Sequence, residues 1–211
     1  MLEEKKEEFE KYIQENKGSR KFKQSIEMAI NFKDINFSKQ ENRINLDVML
    51  PFNKGKLKKI MVFASEKDLI ERANKANIEV IKGEDIQAIS KDQAKLNSLL
   101  NYELLAQPNL MPSIAKGMGQ FLGPRNSMPK PLIGNIDFAE IAKQSNKRIT
   151  LKMKGKFLPT VHCVIGSEDM PPGEIFGNAK EVLEALTRKI GGNRIRSAYV
   201  KMTMSKPLRL V

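Results

Sequence analysis

The chain has a single histidine and a single cysteine, and they stand side by side as His162 and Cys163. A thiol–imidazole pair is therefore the first chemistry to weigh. Both lie in VHCVI, whose alternation reads as a strand, and neighbours on a strand point to opposite faces. Cys163 then joins Val161 and Ile165 in a core while His162 points outward, toward solvent or a bound partner, so the two do not form a dyad. One cysteine excludes an internal disulfide, and one of each excludes a Cys/His zinc cluster. The stretch KGMGQFLG, residues 116–123, superficially matches a dinucleotide fingerprint, but Leu122 stands where the third glycine belongs and no strand directly precedes it. No G-x-x-x-x-G-K-[ST] phosphate loop is present. A nucleotide-binding α/β enzyme stays only as an alternative, with no catalytic residue, metal ligand or cofactor to assign to it.

What remains is electrostatic chemistry. Lys and Arg number 37 against 25 Asp and Glu, a formal net charge of +12, with a sequence pI near 9.7. Such a surface suits a polyanion, because basic side chains displace the counterions condensed on nucleic-acid phosphates. An anionic membrane or a merely solvated surface would also accept it. The excess is uneven: residues 1–16 carry three Lys and six Glu, whereas from Arg188 to Val211 there are seven basic residues and no acid. A second basic stretch, KGSRKFK at 17–23, encloses Phe22. That ring is either a stacking platform for an unpaired base or the first core residue of the strand running to Ile30, and its parity with Ile26, Met28 and Ile30 favours the core. Thr203 and Met204 are similarly either contact residues or ordinary edge residues.

These residues need elements to hold them. Residues 3–17 read as an amphipathic helix with Phe9, Tyr12 and Ile13 on its apolar stripe, stopped by Gly18. The period then changes to two: Ile26, Met28 and Ile30, and later Ile44, Leu46, Val48 and Leu50, mark half-buried antiparallel strands. PFNKGKLKK at 51–59 is a turn-rich connector and hinge candidate. Beyond it KIMVFA, IEVI and YELLA are short apolar strands separated by helices, one opened by a capping box of Ser65 with Asp68 and one spanning 84–98. Alternation returns after a helix near 137–144, with Ile149, Leu151 and Met153 on one face. A helix over 174–190 ends at Gly191 and Gly192, and RIRSAYVKMTM closes as a strand.

The economical arrangement is an α/β chain in which an inserted three-layer, Rossmann-like α/β domain (54–147) interrupts a mixed α+β split domain (1–53 and 148–211). The split domain carries most of the excess positive charge in its second half. The N-terminus lacks the apolar core of a signal peptide, and no apolar run approaches the ~20 residues that span a bilayer. A cytoplasmic protein without a membrane partner is expected.

LGPRNSMPKP at 122–131 resembles the LGPR-x-x-MP-x-P segment of the L-one family of ribosomal proteins, which forms the mobile stalk of the large subunit. KFKQSIEMAINF (21–32), IGSEDMPPGEIFGNAKEVLEAL and the C-terminal SAYVKMTM also fit that family, in the same order along the whole chain. GPRN and MPKP look closer to the archaeal branch. The resemblance implies the same split-domain fold with a two-strand hinge, a non-enzymatic role, and a monomer when free. It further implies binding of large-subunit ribosomal RNA at the stalk, help in releasing exit-site tRNA, and repression of translation by binding the protein's own mRNA. Carried over by position, the RNA contacts are Lys21, Phe22, Ser25, Glu27, Ser197, Thr203 and Met204, with Lys154, Gly155 and His162 in a further region. The family continues its TM with Gly-Pro, whereas this chain has Ser205 and Lys206. Ser205 gives up the close backbone approach of a glycine, while Lys206 adds a phosphate partner. A general RNA chaperone is the remaining alternative, and it would bind stalk, tRNA and unrelated RNA alike.

Overall fold

The structure, a computed structural model, describes residues 3–55, 59–125, 127–134, 137–153 and 158–211. In chain order its elements are α1 (Lys6–Asn16), β1 (Ser25–Phe32), β2 (Asn45–Met49), β3 (Lys59–Ala64), α2 (Lys67–Lys75), β4 (Glu79–Lys82), α3 (Ile86–Lys91), α4 (Gln93–Leu99), β5 (Tyr102–Ala106), α5 (Met111–Leu122), β6 (Lys130–Pro131), α6 (Phe138–Lys147), β7 (Arg148–Lys152), β8 (Thr160–Ser167), α7 (Pro172–Ile190), β9 (Ile195–Met202) and β10 (Leu208–Arg209). The chain divides into two compact units, Met1–Leu57 with Asn146–Val211, and Lys58–Ser145. Both antiparallel and parallel sheets are present, as the mixed α/β reading requires.

In the first unit, β1 alternates half-buried and buried along its whole length, the signature of a strand with one face on a core. It pairs antiparallel with β8 on one side and β9 on the other, and β10 extends the sheet to the order β10-β9-β1-β8. The inner face presents Ile26, Met28, Ile30, Val200 and Met202 to Phe9 and Ile13 of α1 and to Ile175, Phe176, Ala179 and Val182 of α7. Phe9 and Phe176 meet edge to face at 5.5 Å, and each fully buried side chain of this size stabilises the unit by about 1.5–3 kcal/mol. A second ladder, β2 with β7, adds Val48, Ile149 and Leu151 to the same core. Gly191 ends α7 at φ +88°, its N–H bonded to the Thr187 carbonyl at 2.9 Å.

The second unit is a parallel sheet, β4-β3-β5-β6. β3 is buried on both faces: Met61 and Phe63 enter one core with α3, α4 and α5, while Ile60, Val62 and Ala64 enter another with Leu69 and Ala73 of α2 and Phe138 of α6. This is the three-layer arrangement that KIMVFA demands.

Two local expectations fail here. The Ser65/Asp68 capping box does not form: α2 starts after Glu66, without a side-chain cap. The Ser65 and Glu66 N–H groups instead donate to the Gln107 side-chain oxygen at 2.7 and 3.4 Å. The single helix over 84–98 is broken at Asp92, whose carboxylate accepts the N–H groups of Ala94 and Lys95 and starts α4 afresh.

Candidate nucleic-acid interface

The outer face of the four-stranded sheet follows from β1. Ser25, Glu27, Ala29 and Asn31 point away from the core and are half-buried. Their register partners on β9 are Lys201 opposite Glu27, Tyr199 opposite Ala29 and Ser197 opposite Asn31. Those on β8 are Ser167, Val164, His162 and Thr160. The face is polar and mixed in charge, with one acid, Glu27, across from Lys201.

At one end of this face two distant segments are tied together. The Thr203 N–H donates to the Ser25 carbonyl at 3.1 Å, and its hydroxyl accepts the Ser25 N–H at 3.1 Å while lying 3.3 Å from the Ser25 carbonyl. Close to this pair in sequence are Met204, 58 % exposed, and Phe22, 50 % exposed. Lys21 and Lys206 are exposed as well. Lys23 pairs with Asp169 at 2.7 Å, and this carboxylate raises the pKa of the ammonium. The arrangement offers cations for phosphates, apolar and aromatic surface, and hydroxyls able to read ribose.

Phe22 departs from the parity reading. It is not a core residue, because β1 begins at Ser25 and residues 20–22 form a bend, where period two does not apply. Ser197 lies away from the Ser25–Thr203 end: six residues along β1, roughly 20 Å, it is 6 % exposed and its hydroxyl accepts the Asn31 amide at 3.0 Å. His162 is exposed midway along the same face, opposite Ala29. Half-buried Cys163 turns inward against the first unit's core, and burial, with a smaller contribution from the Glu27 charge, pushes its thiol up to about 12. Lys154 and Gly155 lie outside the described residues.

Ser205 does not need glycine's backbone, since its φ is not positive. Its side chain turns inward: the hydroxyl accepts the Met202 N–H at 2.9 Å and meets the Tyr12 hydroxyl, which donates to the Lys206 carbonyl at 2.7 Å. Sequence reasoning missed Gln24, which is 1 % exposed. Its side-chain oxygen accepts the Met204 N–H at 3.0 Å, and its amide nitrogen donates to the Ser19 hydroxyl at 3.2 Å and the Asn16 carbonyl at 3.4 Å. A glutamine at a strand's threshold gives little sequence signal, and Tyr12 was accounted for as part of an apolar stripe.

The second unit argues against a nucleotide site. A doubly wound sheet takes ligands beyond the carboxyl ends of its strands, where the order reverses. Here the Gln107 side-chain oxygen accepts the Ser65 and Glu66 N–H groups just ahead of α2, and a Cβ on Gly83 would meet the Ser65 hydroxyl and, at 3.0 Å, Leu110. KGMGQFLG runs along the end of α5 rather than forming a loop. Among the described residues no three His, Cys, Asp or Glu side chains are grouped to hold a metal, and no helix is long and apolar enough to cross a membrane.

Residues 10–206 match the model of the ribosomal protein L1p/L10e family. Large ribosomal subunit protein uL1 of Thermococcus kodakarensis is 38 % identical over 199 residues, covering 90 % of this chain and 89 % of that protein. The uL1 proteins of Thermoplasma acidophilum and Methanothermobacter thermautotrophicus are each 36 % identical, covering 94 % and 91 % of this chain and 92 % of each of theirs. With a match over nearly its whole length and relatives of nearly the same extent, the chain belongs to the ribosomal protein L1p/L10e family.

Proposed function

We propose that this chain is a structural, non-catalytic constituent of the large ribosomal subunit in the cytoplasm, and that it binds ribosomal RNA of the mobile stalk through the outer sheet face of its first unit. The observation that carries the reading is the Ser25–Thr203 tie, which joins the start of β1, just after Lys21 and Phe22 in sequence, to the turn that carries Met204 and Lys206. Lys and Arg supply salt-dependent affinity for phosphates, while Phe22, Glu27, Thr203 and Met204 choose the RNA by shape, stacking and ribose hydroxyls. Ser197 is assigned a supporting role, because it is buried and stands opposite Asn31, at the other end of β1 from the tie. Two finer roles belong to the same proposal: from the stalk the protein assists departure of tRNA from the exit site, and when free it binds its own mRNA and represses translation.

The test is competitive binding at moderate salt. A transcript of the archaeal stalk segment competes against a shuffled transcript of equal length, for the full chain and for Thr203→Ala. Selective loss on the stalk transcript is expected. Equal affinity of the unaltered chain for both transcripts would instead indicate a general RNA chaperone.

A further inference from the structure

The Thr203–Lys206 turn supplies much of the proposed RNA surface, yet it follows the last long strand and carries an exposed methionine. Such a segment would ordinarily sample several conformations, and ordering it on binding would cost affinity. Its backbone is instead fastened from inside. The Met204 N–H reaches the Gln24 side-chain oxygen, the Met202 N–H reaches the Ser205 and Tyr12 hydroxyls, and the Lys206 carbonyl accepts from Tyr12. Gln24 passes the fastening on to the end of α1 through Asn16 and Ser19, and its own carbonyl accepts the Glu168 N–H at 3.1 Å, which binds the end of β8 to the same point.

Resting on the RNA-binding reading above, we infer that Gln24, assisted by Tyr12, is a positioning residue: it touches no RNA but fixes the Met202–Lys206 backbone in its binding conformation, with α1 as the splint. Gln24 is suited to this because one buried amide presents both an acceptor, used by Met204, and donors, used by α1 and the following loop. A leucine fills similar volume but offers neither, whereas a glutamate keeps the acceptor. Tyr12 holds the far end of the turn with an acceptor for Met202 and a donor for Lys206. The Ser205 hydroxyl completes that lock, so a chain with serine here gains a side-chain fastening that glycine cannot provide.

The test uses the full chain, a stalk-segment transcript, a shuffled transcript of equal length, and amide exchange of the free protein. Gln24→Leu is expected to lower stalk affinity about tenfold, through faster dissociation. Affinity for the shuffled transcript and the salt slope should stay unchanged, because the phosphate contacts remain, and Met204 amide exchange should accelerate. Gln24→Glu should retain stalk affinity within about threefold. If Gln24→Leu does not fold, Tyr12→Phe loosens the same turn from a part-buried position and is expected to show the same selective loss. Unchanged stalk affinity in a folded variant with a loosened Met204 amide overturns the inference, as does an equal loss on both transcripts. A wild-type chain without preference for the stalk transcript fails earlier and overturns the functional reading itself.

Discussion

Phe22→Ala separates a contact role from a packing role, because the exposure of the ring sets the two magnitudes apart. A fully buried phenylalanine truncated to alanine costs about 3–5 kcal/mol. Phe22 is 50 % exposed, so roughly half of that transfer is already forgone and no enclosed cavity is left; the expected stability loss is about 1–2 kcal/mol. If the ring stacks on an unpaired base of the stalk, its removal costs about 1–3 kcal/mol of binding, or about 5- to 150-fold in affinity. The shuffled transcript, lacking a base held at that place by the RNA fold, should lose far less. Urea denaturation gives the first quantity and competition binding at moderate salt the second. A stability loss of about 3 kcal/mol or more would return Phe22 to the core, and equal affinity losses on both transcripts would refute the contact.

Three other substitutions probe the frame that holds this surface. Asn178 is fully buried, accepts the Phe52 N–H at 3.0 Å and donates to the Ile165 carbonyl at 2.8 Å; Asn178→Leu should cost about 2–4 kcal/mol, read as a fall in the urea midpoint without a change in m-value. Gly55 sits at φ +86°, and a Cβ there would lie 2.6 Å from that of Ser167, the register partner of Ser25. Gly55→Ala should therefore destabilise by about 1–3 kcal/mol and also weaken stalk binding, measured by denaturation and competition. Cys163 ionises near its ordinary value of 9.0 when unfolded but only at about 12 when folded. The unfolded chain thus binds fewer protons between those values, and stability from this group is full below pH 9 and falls as pH rises toward 12. Cys163→Ala should make the alkaline stability profile shallower over that window.

Much of the fold was legible because its signals are local. The period-two pattern of Ile26, Met28 and Ile30 reports a strand with one buried face, and the unbroken KIMVFA reports one buried on two. Parity failed at Phe22 because it holds only within a strand, and nothing local marked the start at Ser25. The Ser65/Asp68 cap lost to a competitor 41 to 42 residues away in sequence, Gln107, which took the N–H groups of Ser65 and Glu66. Asp92 carried a readable capping signal inside a stretch whose apolar spacing alone suggested one helix. The candidate site was legible by resemblance but not from spacing: Ser25 and Thr203 are 178 residues apart, and Gln24 and Tyr12 show their part only once that separation has closed.

The central proposal, that the open sheet face of the first unit grips stalk RNA at its Ser25–Thr203 end, is tested most directly by hydrogen exchange of the full chain with and without a saturating stalk transcript. Protection concentrated in residues 21–29 and 199–206, with the helices of the second unit unchanged, is the predicted result. Protection on α2 or α5 of the second unit, with 21–29 and 199–206 exchanging as in the free protein, would contradict it.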